Sequence, residues 1–171
     1  MSTQIQSSRG FSMIEVMVTI VVIAFGLLGL ASLVLRGLQA GSDSQNRTMA
    51  VKQTYDMADR MRANLTNVKA GNYDNLLPSG SSSSCATLLS AIRNGGSGAP
   101  IVSAGSSTPT CSGSGATYDN NCWQLANKQQ LPNGAGAVCK EATENWYAIF
   151  VSWDESRTGA TNKTFWITFE P

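Results

Sequence analysis

The most prominent feature of the hydropathy pattern is an apolar run near the start of the chain. Residues 11–35 are almost entirely hydrophobic, and Glu15 is the one acid among them. Roughly 20 apolar residues suffice for a helix to cross a bilayer, at a rise of about 1.5 Å each. A carboxylate inside such a span is costly and marks a functional position with a partner. The pattern therefore predicts a membrane-spanning helix whose function depends on what neutralises Glu15.

From residue 36 to about residue 65 the pattern is that of an amphipathic helix. Apolar residues recur at spacings of three and four, namely Val51, Tyr55, Ala58, Met61 and Leu65. Such a stripe packs against a partner surface. We therefore predict one helix of about 50 residues, with 11–35 in the membrane and 36–65 packed on a globular head formed by 66–171.

The last third of the chain has the alternation of β-strands. Strands are predicted at 137–142, 146–153 and 164–170, after a short helix at 122–131. In the second strand, one face carries Tyr147, Ile149, Val151 and Trp153, and the other carries Trp146 and Phe150. Three short neighbouring strands favour an antiparallel meander with one face on the long helix, so the predicted fold class is α+β.

The middle of the chain, residues 66–120, is rich in turn-forming residues. One short helical stripe lies within 85–93, and residues 94–115 are rich in Gly, Ser and Thr. Loops of this length are uncommon in compact domains and tend to be binding elements or variable surfaces. We expect the partner-facing surface of the head to lie here.

Four cysteines lie beyond the apolar run: Cys85, Cys111, Cys122 and Cys139. An even number in an exported domain indicates two disulfides and an oxidising compartment such as the bacterial periplasm. Three pairings are possible, and the spacings do not choose among them. Cys85 and Cys111 bracket the loop-rich middle, so we expect a disulfide to tie it to the head.

The composition argues against most catalytic and nucleic-acid-binding functions. Histidine is absent, which removes the commonest general base and metal ligand. The chain has none of the nucleophile, phosphate-binding or dinucleotide-binding motifs, and no metal-ligand cluster. Asp119 with its asparagine neighbours, and Asp154 with Glu155, suit turns better than a calcium site. Twelve bases and 11 acids leave no basic stripe for nucleic acid. We expect no enzyme activity, cofactor or nucleic-acid binding.

The start of the apolar run carries a specific sequence motif. An ordinary secretory signal is cut after its apolar region, whereas here the cut would precede it, between Gly10 and Phe11. The sequence Gly10-Phe11-Ser12-Met13-Ile14-Glu15 resembles the cleavage and methylation signature of type IV prepilins and type II secretion pseudopilins. The resemblance implies that a prepilin peptidase removes residues 1–10 and that Phe11 is then N-methylated.

The physical chemistry of Glu15 agrees with that resemblance. Cleavage creates an ammonium group at Phe11, which can pair with the Glu15 carboxylate of a neighbouring subunit in a filament. Either charge alone in a low-dielectric core costs several kcal/mol, so the pair would set the axial register of subunits. The alternative is an ordinary signal anchor in which the acid has no function.

Further resemblance is carried by the end of the long helix and by the C-terminal strands. The segment TYDMADRMRAN (residues 54–64) and the order W…LP-x-G…VC…YxIxVxW…FxITFEP are similar to the PilV family of type IV pilus minor pilins. The likeness covers roughly 10–65 and 122–171. The charges of this segment suit a solvent-exposed helix face with pairs at favourable spacing, Asp56–Arg60 and Asp59–Arg62. The resemblance instead implies ion pairs between subunits.

The family resemblance implies a type IV pilin fold and a structural role. Such a chain joins a minor-pilin complex that primes pilus assembly near the tip, supporting adhesion and twitching motility. Its partners would be other minor pilins, the major pilin, and a large PilY-type tip adhesin. It would cross the inner membrane once, with its N-terminus cytoplasmic and its head periplasmic, and then enter the pilus at the cell surface. Alternatives are a minor pseudopilin of a type II secretion system and a membrane-tethered enzyme.

Overall fold

The structure is a computed structural model that describes residues 10–94, 101–105, 107–156 and 162–171. Its contacts divide the chain into two units, Met1–Ser42 and Asp43–Pro171. We call the first the N-terminal unit and the second the head. The boundary falls inside the first helix, so the head includes the second half of that helix.

The described residues form four helices and four strands. The first helix, α1, covers Met13–Ala63. The others are α2 at Leu65–Lys69, α3 at Cys85–Arg93 and α4 at Gly115–Gln130. The strands are β1 at Asn75–Leu76, β2 at Ala135–Lys140, β3 at Tyr147–Asp154 and β4 at Asn162–Phe169.

The strands form one antiparallel sheet in the order β1-β2-β3-β4. The predicted meander is confirmed, and its three strands are found within about two residues of their predicted bounds. A fourth strand was not predicted: Asn75 and Leu76 pair with Cys139 and Val138. A strand of two residues is too short to produce a recognisable alternation.

Both faces of the sheet are covered, and every residue of β3 is buried. Tyr147, Ile149, Val151 and Trp153 share one apolar cluster with Met57 and Met61 of α1 and with Trp123 of α4. On the opposite face, Phe150 packs in a second cluster with Leu88 and Leu89 of α3 and with Val102. The predicted packing of one strand face on the long helix is confirmed, and the second face is buried as well.

The buried stripe of α1 is displaced from the predicted one. Its buried residues are Ala50, Gln53, Thr54, Met57, Ala58 and Met61. Tyr55 is 52% exposed and Leu65 is 40% exposed, so their predicted burial was wrong. The sequence pattern missed this buried stripe because the stripe contains polar residues. Hydrogen bonds offset part of the cost of burying them. The Thr54 hydroxyl donates to the Ala50 carbonyl at 2.7 Å, and the Gln53 amide donates to Gln130 at 3.0 Å.

Helix α4 begins earlier than predicted, at Gly115 instead of residue 122. Its first residues are poor helix formers, so propensity alone misses them. Tertiary packing stabilises the helix instead. Gln124 donates to the Gly136 carbonyl at 2.6 Å and accepts from the Gly136 amide at 3.0 Å. A Cβ on Gly136 would lie 2.2 Å from the Trp123 ring, so glycine is required for this close approach.

The structure selects one of the three disulfide pairings. Cys85 of α3 is bonded to Cys139 of β2, and Cys111 is bonded to Cys122 of α4. The expected covalent connection of the loop-rich middle to the head is therefore present at both ends. Within the predicted partner-facing loop 94–115, residues 95–100 and 106 lie outside the described residues, as do 157–161 of the predicted turn before β4.

Candidate assembly site

The Gly10–Phe11 junction lies immediately before the first helix. Residues 10–12 are non-helical, and α1 begins at Met13. The Ser12 carbonyl accepts hydrogen bonds from the amides of Glu15 at 3.0 Å and Val16 at 3.4 Å. Phe11 is 82% exposed. The predicted cleavage bond thus lies outside the helix, between two exposed residues.

Glu15 lies in the first turn of α1, with its side chain exposed. A carboxylate here interacts favourably with the positive end of the helix dipole. Across residues 10–94, 101–105, 107–156 and 162–171, every ion pair joins residues of the head. No ion pair of Glu15 is therefore present in the part of the chain that the structure describes.

The apolar run of α1 is exposed, with no covering from the residues that the structure describes. Its most hydrophobic 18-residue window has a mean hydropathy of 2.7 and is entirely unburied. Among the described residues, α1 is the one helix long and apolar enough to cross a membrane. A Cβ on Gly26 or Gly29 would meet nothing within 4 Å, so no contact inside this chain requires these glycines. This exposed apolar surface fits membrane anchoring.

The charges near the end of α1 have partners inside the head. Arg60 contacts Asp56 at 2.9 Å and Asp119 of α4 at 3.6 Å. Arg62 contacts Asp59 at 2.7 Å and lies 5.1 Å from the centre of the Phe169 ring. The predicted pairs within the helix are present, and further contacts of the same arginines link α1 to α4 and β4.

A polar network that the sequence did not reveal joins α1, α4 and the segment before β1. The Tyr73 hydroxyl donates to Asp119, and the Asn64 amide donates to the Tyr73 oxygen at 3.1 Å. Burial, followed by the hydrogen bond to Asp119, raises the pKa of Tyr73 above its ordinary value near 10. Asp119 lies inside helix α4, so its interpretation as a turn residue was wrong.

A second network surrounds Tyr147 of β3. Its hydroxyl donates to Asp74 at 2.8 Å and to the Val68 carbonyl at 3.3 Å, and Lys140 lies 3.6 Å from Asp74. Burial, followed by the hydrogen bond to Asp74, raises the pKa of Tyr147. Tyrosines remain protonated donors here, so both networks fix helices and strands in place instead of transferring protons. The sequence pattern did not predict the partners of either tyrosine hydroxyl group.

No metal-binding cluster is formed by the described residues, since no three histidine, cysteine, aspartate or glutamate side chains come together. Asp154 accepts from the amide and hydroxyl of Ser156, at 2.9 Å and 2.8 Å, and so caps the turn after β3. The candidate site is therefore the N-terminal segment, in which Gly10, Phe11 and Glu15 lie at the start of an exposed apolar surface.

Comparison with known families agrees with this location. Residues 5–31 match the family described as the prokaryotic N-terminal methylation motif. No curated protein and no solved structure matches the chain. The motif supports a type IV pilin or pseudopilin family, whose members are structural proteins. It implies processing by a prepilin peptidase and assembly with other pilins, and with the long apolar helix it fits membrane anchoring.

Proposed function

We propose that this chain is a minor pilin of the type IV pilus. It joins a minor-pilin complex that primes pilus assembly near the tip and so supports adhesion and twitching motility. The observation that carries the proposal is an uncovered apolar helix with Glu15 unpaired in its first turn, inside a methylation motif. The resemblance of residues 54–64 and of the C-terminal strands to the PilV family supports the choice of a minor pilin.

The proposal includes a maturation step at the N-terminus. The prepilin peptidase hydrolyses the Gly10–Phe11 bond on the cytoplasmic side and releases residues 1–10. The new amine of Phe11 is methylated by the same class of enzyme, which leaves it cationic. The exposed, non-helical backbone of the junction supports this step. The mature chain would comprise 11–35 in the membrane or filament core, the amphipathic half 36–65 of the long helix, and the globular periplasmic part 66–171.

Glu15 and the amine of Phe11 then act between subunits. When a subunit leaves the bilayer for a filament, its Glu15 meets the Phe11 amine of a neighbour, and both charges are neutralised. The lack of a cationic partner for Glu15 within the described chain supports this role. The other minor pilins, the major pilin and a PilY-type tip adhesin are the proposed partners, and the inner membrane is the site of storage before assembly.

Replacement of Glu15 tests the proposal. In Glu15→Val, leader removal measured by mass spectrometry should remain normal, whereas incorporation into sheared pili should fall about tenfold or more, as expected for a loss of at least ~1.4 kcal/mol. Glu15→Asp retains the carboxylate and is the matched control for charge. Thr19→Val is the control for a substitution elsewhere in the apolar run. Wild-type incorporation of Glu15→Val would contradict the register pair.

A pseudopilin of type II secretion is the second candidate, because the same motif opens both classes of chain. Deletion of the gene distinguishes them. Loss of pili and twitching with normal exoprotein release is the result expected for a minor pilin. Normal pili with lost exoprotein release would overturn the proposal in favour of the pseudopilin.

A further inference from the structure

The two edges of the sheet differ in the length of their strands. The sheet order places β1 at one edge and β4 at the other, and β1 has only two residues whereas β4 has eight. In the part of the chain that the structure describes, β4 pairs with β3 alone. A long unpaired edge presents backbone donors and acceptors that favour the addition of another strand.

Strand β4 has few of the features that protect edges. Its pairing with β3 is continuous from Asn162 to Phe169, without a bulge, and the strand contains no proline. Lys163 is its one charge, at the beginning. At its centre, Trp166 is 39% exposed, and Phe165 and Ile167 are only partly buried on the other face. An added strand would therefore bury apolar surface on both faces of the sheet.

The sequence of β4 is complementary to itself. Residues 164–168 read Thr-Phe-Trp-Ile-Thr, which is nearly palindromic about Trp166. A two-fold axis through Trp166 would place Trp166 opposite its own copy, Phe165 opposite Ile167, and Thr164 opposite Thr168. Aromatic pairs, aromatic–β-branched pairs and Thr–Thr pairs are the cross-strand combinations that stabilise antiparallel sheets.

The charges at the ends of β4 fit the same arrangement. Lys163 lies at its beginning and Glu170 directly after its end, and Glu170 has no ion pair among the described residues. Antiparallel self-pairing brings the positive end of one copy beside the negative end of the other. It also places Asn162 opposite Glu170, where an amide can donate to a carboxylate.

We propose that two copies of this chain associate through β4, forming one continuous eight-stranded antiparallel sheet across a two-fold axis at Trp166. Such a contact is isologous, with the same surface used by both copies. Subunits of a helical filament meet through two different surfaces, so this contact is additional to those that build a pilus. It goes beyond the proposed role of the chain and does not depend on it.

Cysteine pairs in the full-length chain test the register. Thr164→Cys and Thr168→Cys chains, with different tags, are expressed together and separately and then oxidised. Opposed positions have Cβ atoms about 4.5–5.5 Å apart, whereas position 164 lies about 13 Å from its own copy. Co-expression should give a disulfide-linked dimer that contains both tags. Either variant alone should form no disulfide-linked dimer. Equal cross-linking in all samples, no cross-linking, or a cross-link to a different protein would each overturn the proposal.

A charge exchange tests the same contact without cysteine. Thr164→Lys with Thr168→Lys places lysines opposite each other twice in the dimer, whereas Thr164→Lys with Thr168→Glu places opposite charges together. Co-purification of two tagged full-length copies should fall about threefold to tenfold for the first variant and remain near wild type for the second. Association through the apolar helix contributes equally to both. Equal co-purification of the two variants would overturn the proposal.

Discussion

The N-terminal unit and the head of this chain gain stability from different sources. In the head, two apolar clusters cover both faces of the sheet, and two disulfides connect its loops. In the N-terminal unit, large side chains remain exposed, from 46% for Val16 to 89% for Met13. The head buries its own apolar surface, whereas the apolar run of the N-terminal unit is exposed in the described residues, as fits a membrane anchor.

The same difference separates the charges of the two regions. Arg60 and Arg62 have acidic partners within the head, whereas Glu15 has no cationic partner among the residues described. The absence of a cationic partner among the described residues is consistent with the proposed contact of Glu15 between subunits.

The largest expected effect comes from the disulfide that closes the longer loop of the head. Cys85 and Cys139 are separated by 54 residues. Replacing both cysteines with serine should lower the free energy of unfolding of the head by about 4 kcal/mol, because the unfolded chain gains the entropy of the opened loop. Urea unfolding of a fragment from residue 43 measures the change. Because Cys111–Cys122 closes a loop of only 11 residues, the same substitution there should cost less, about 3 kcal/mol. Equal losses would argue against the loop-length explanation.

A matched pair of truncations tests the contrast between the two regions directly. Met57 is fully buried in α1 of the head, whereas Leu28 of the same helix is 68% exposed. Met57→Ala should destabilise the head by about 2–5 kcal/mol through the cavity that it leaves. Leu28→Ala should leave the thermal unfolding of the head in the full-length chain unchanged but weaken membrane retention. A large shift in unfolding for Leu28→Ala would show that the apolar run is part of the folded core.

The patterns that predicted structure correctly are those that lie within one continuous element. Alternation in residues 146–153 predicted β3 because its odd residues pack on α1, and an uninterrupted run predicted the uncovered half of α1. The patterns failed where tertiary contacts outweigh local preference. Thr54 is buried with its hydroxyl bonded to the Ala50 carbonyl, and Gln53 is buried with its amide bonded to Gln130. Gly115 opens α4 because packing stabilises a weak helix.

The candidate assembly site was accessible to sequence reasoning for a related reason. Gly10, Phe11 and Glu15 function in a linear segment, so their spacing contains the information. The hydroxyl networks of Tyr73 and Tyr147 connect residues 46 and 73 positions apart, and no local pattern records such contacts. Cysteine pairing likewise depends on which elements the fold brings together.

The tyrosine networks predict how the stability of the head depends on pH. In the unfolded chain Tyr73 titrates near pH 10, and in the folded head its pKa is higher. Both states are protonated below pH 10, so its contribution is constant there. Above about pH 10 the unfolded state loses the proton first, and stability should fall by up to ~1.4 kcal/mol per pH unit for each such tyrosine.

Tyr73→Phe should therefore reduce the slope of unfolding free energy against pH above about 10, and at neutral pH it should cost about 1–3 kcal/mol because Asp119 loses a donor. Tyr147→Phe should reduce the slope in the same way. Tyr118→Phe is the control for removing a surface hydroxyl, since that residue is 44% exposed. An unchanged slope in Tyr73→Phe would show that this hydroxyl is not protected in the folded head.

The smallest effect separates the two versions of the α1 stripe. The sequence pattern assigns Tyr55 to the buried face, whereas the structure leaves it 52% exposed beside the buried Thr54. Tyr55→Ala should change the unfolding free energy of the head by no more than about 0.5 kcal/mol, as is usual for surface substitutions. A buried tyrosine would instead cost about 3–5 kcal/mol, the range for large aromatic truncations. Thr54→Val, which keeps the shape but removes the hydroxyl, is the control for the neighbouring buried position. A loss of several kcal/mol for Tyr55→Ala would support the buried stripe predicted from the sequence. It would mean that the packed face of α1 includes Tyr55.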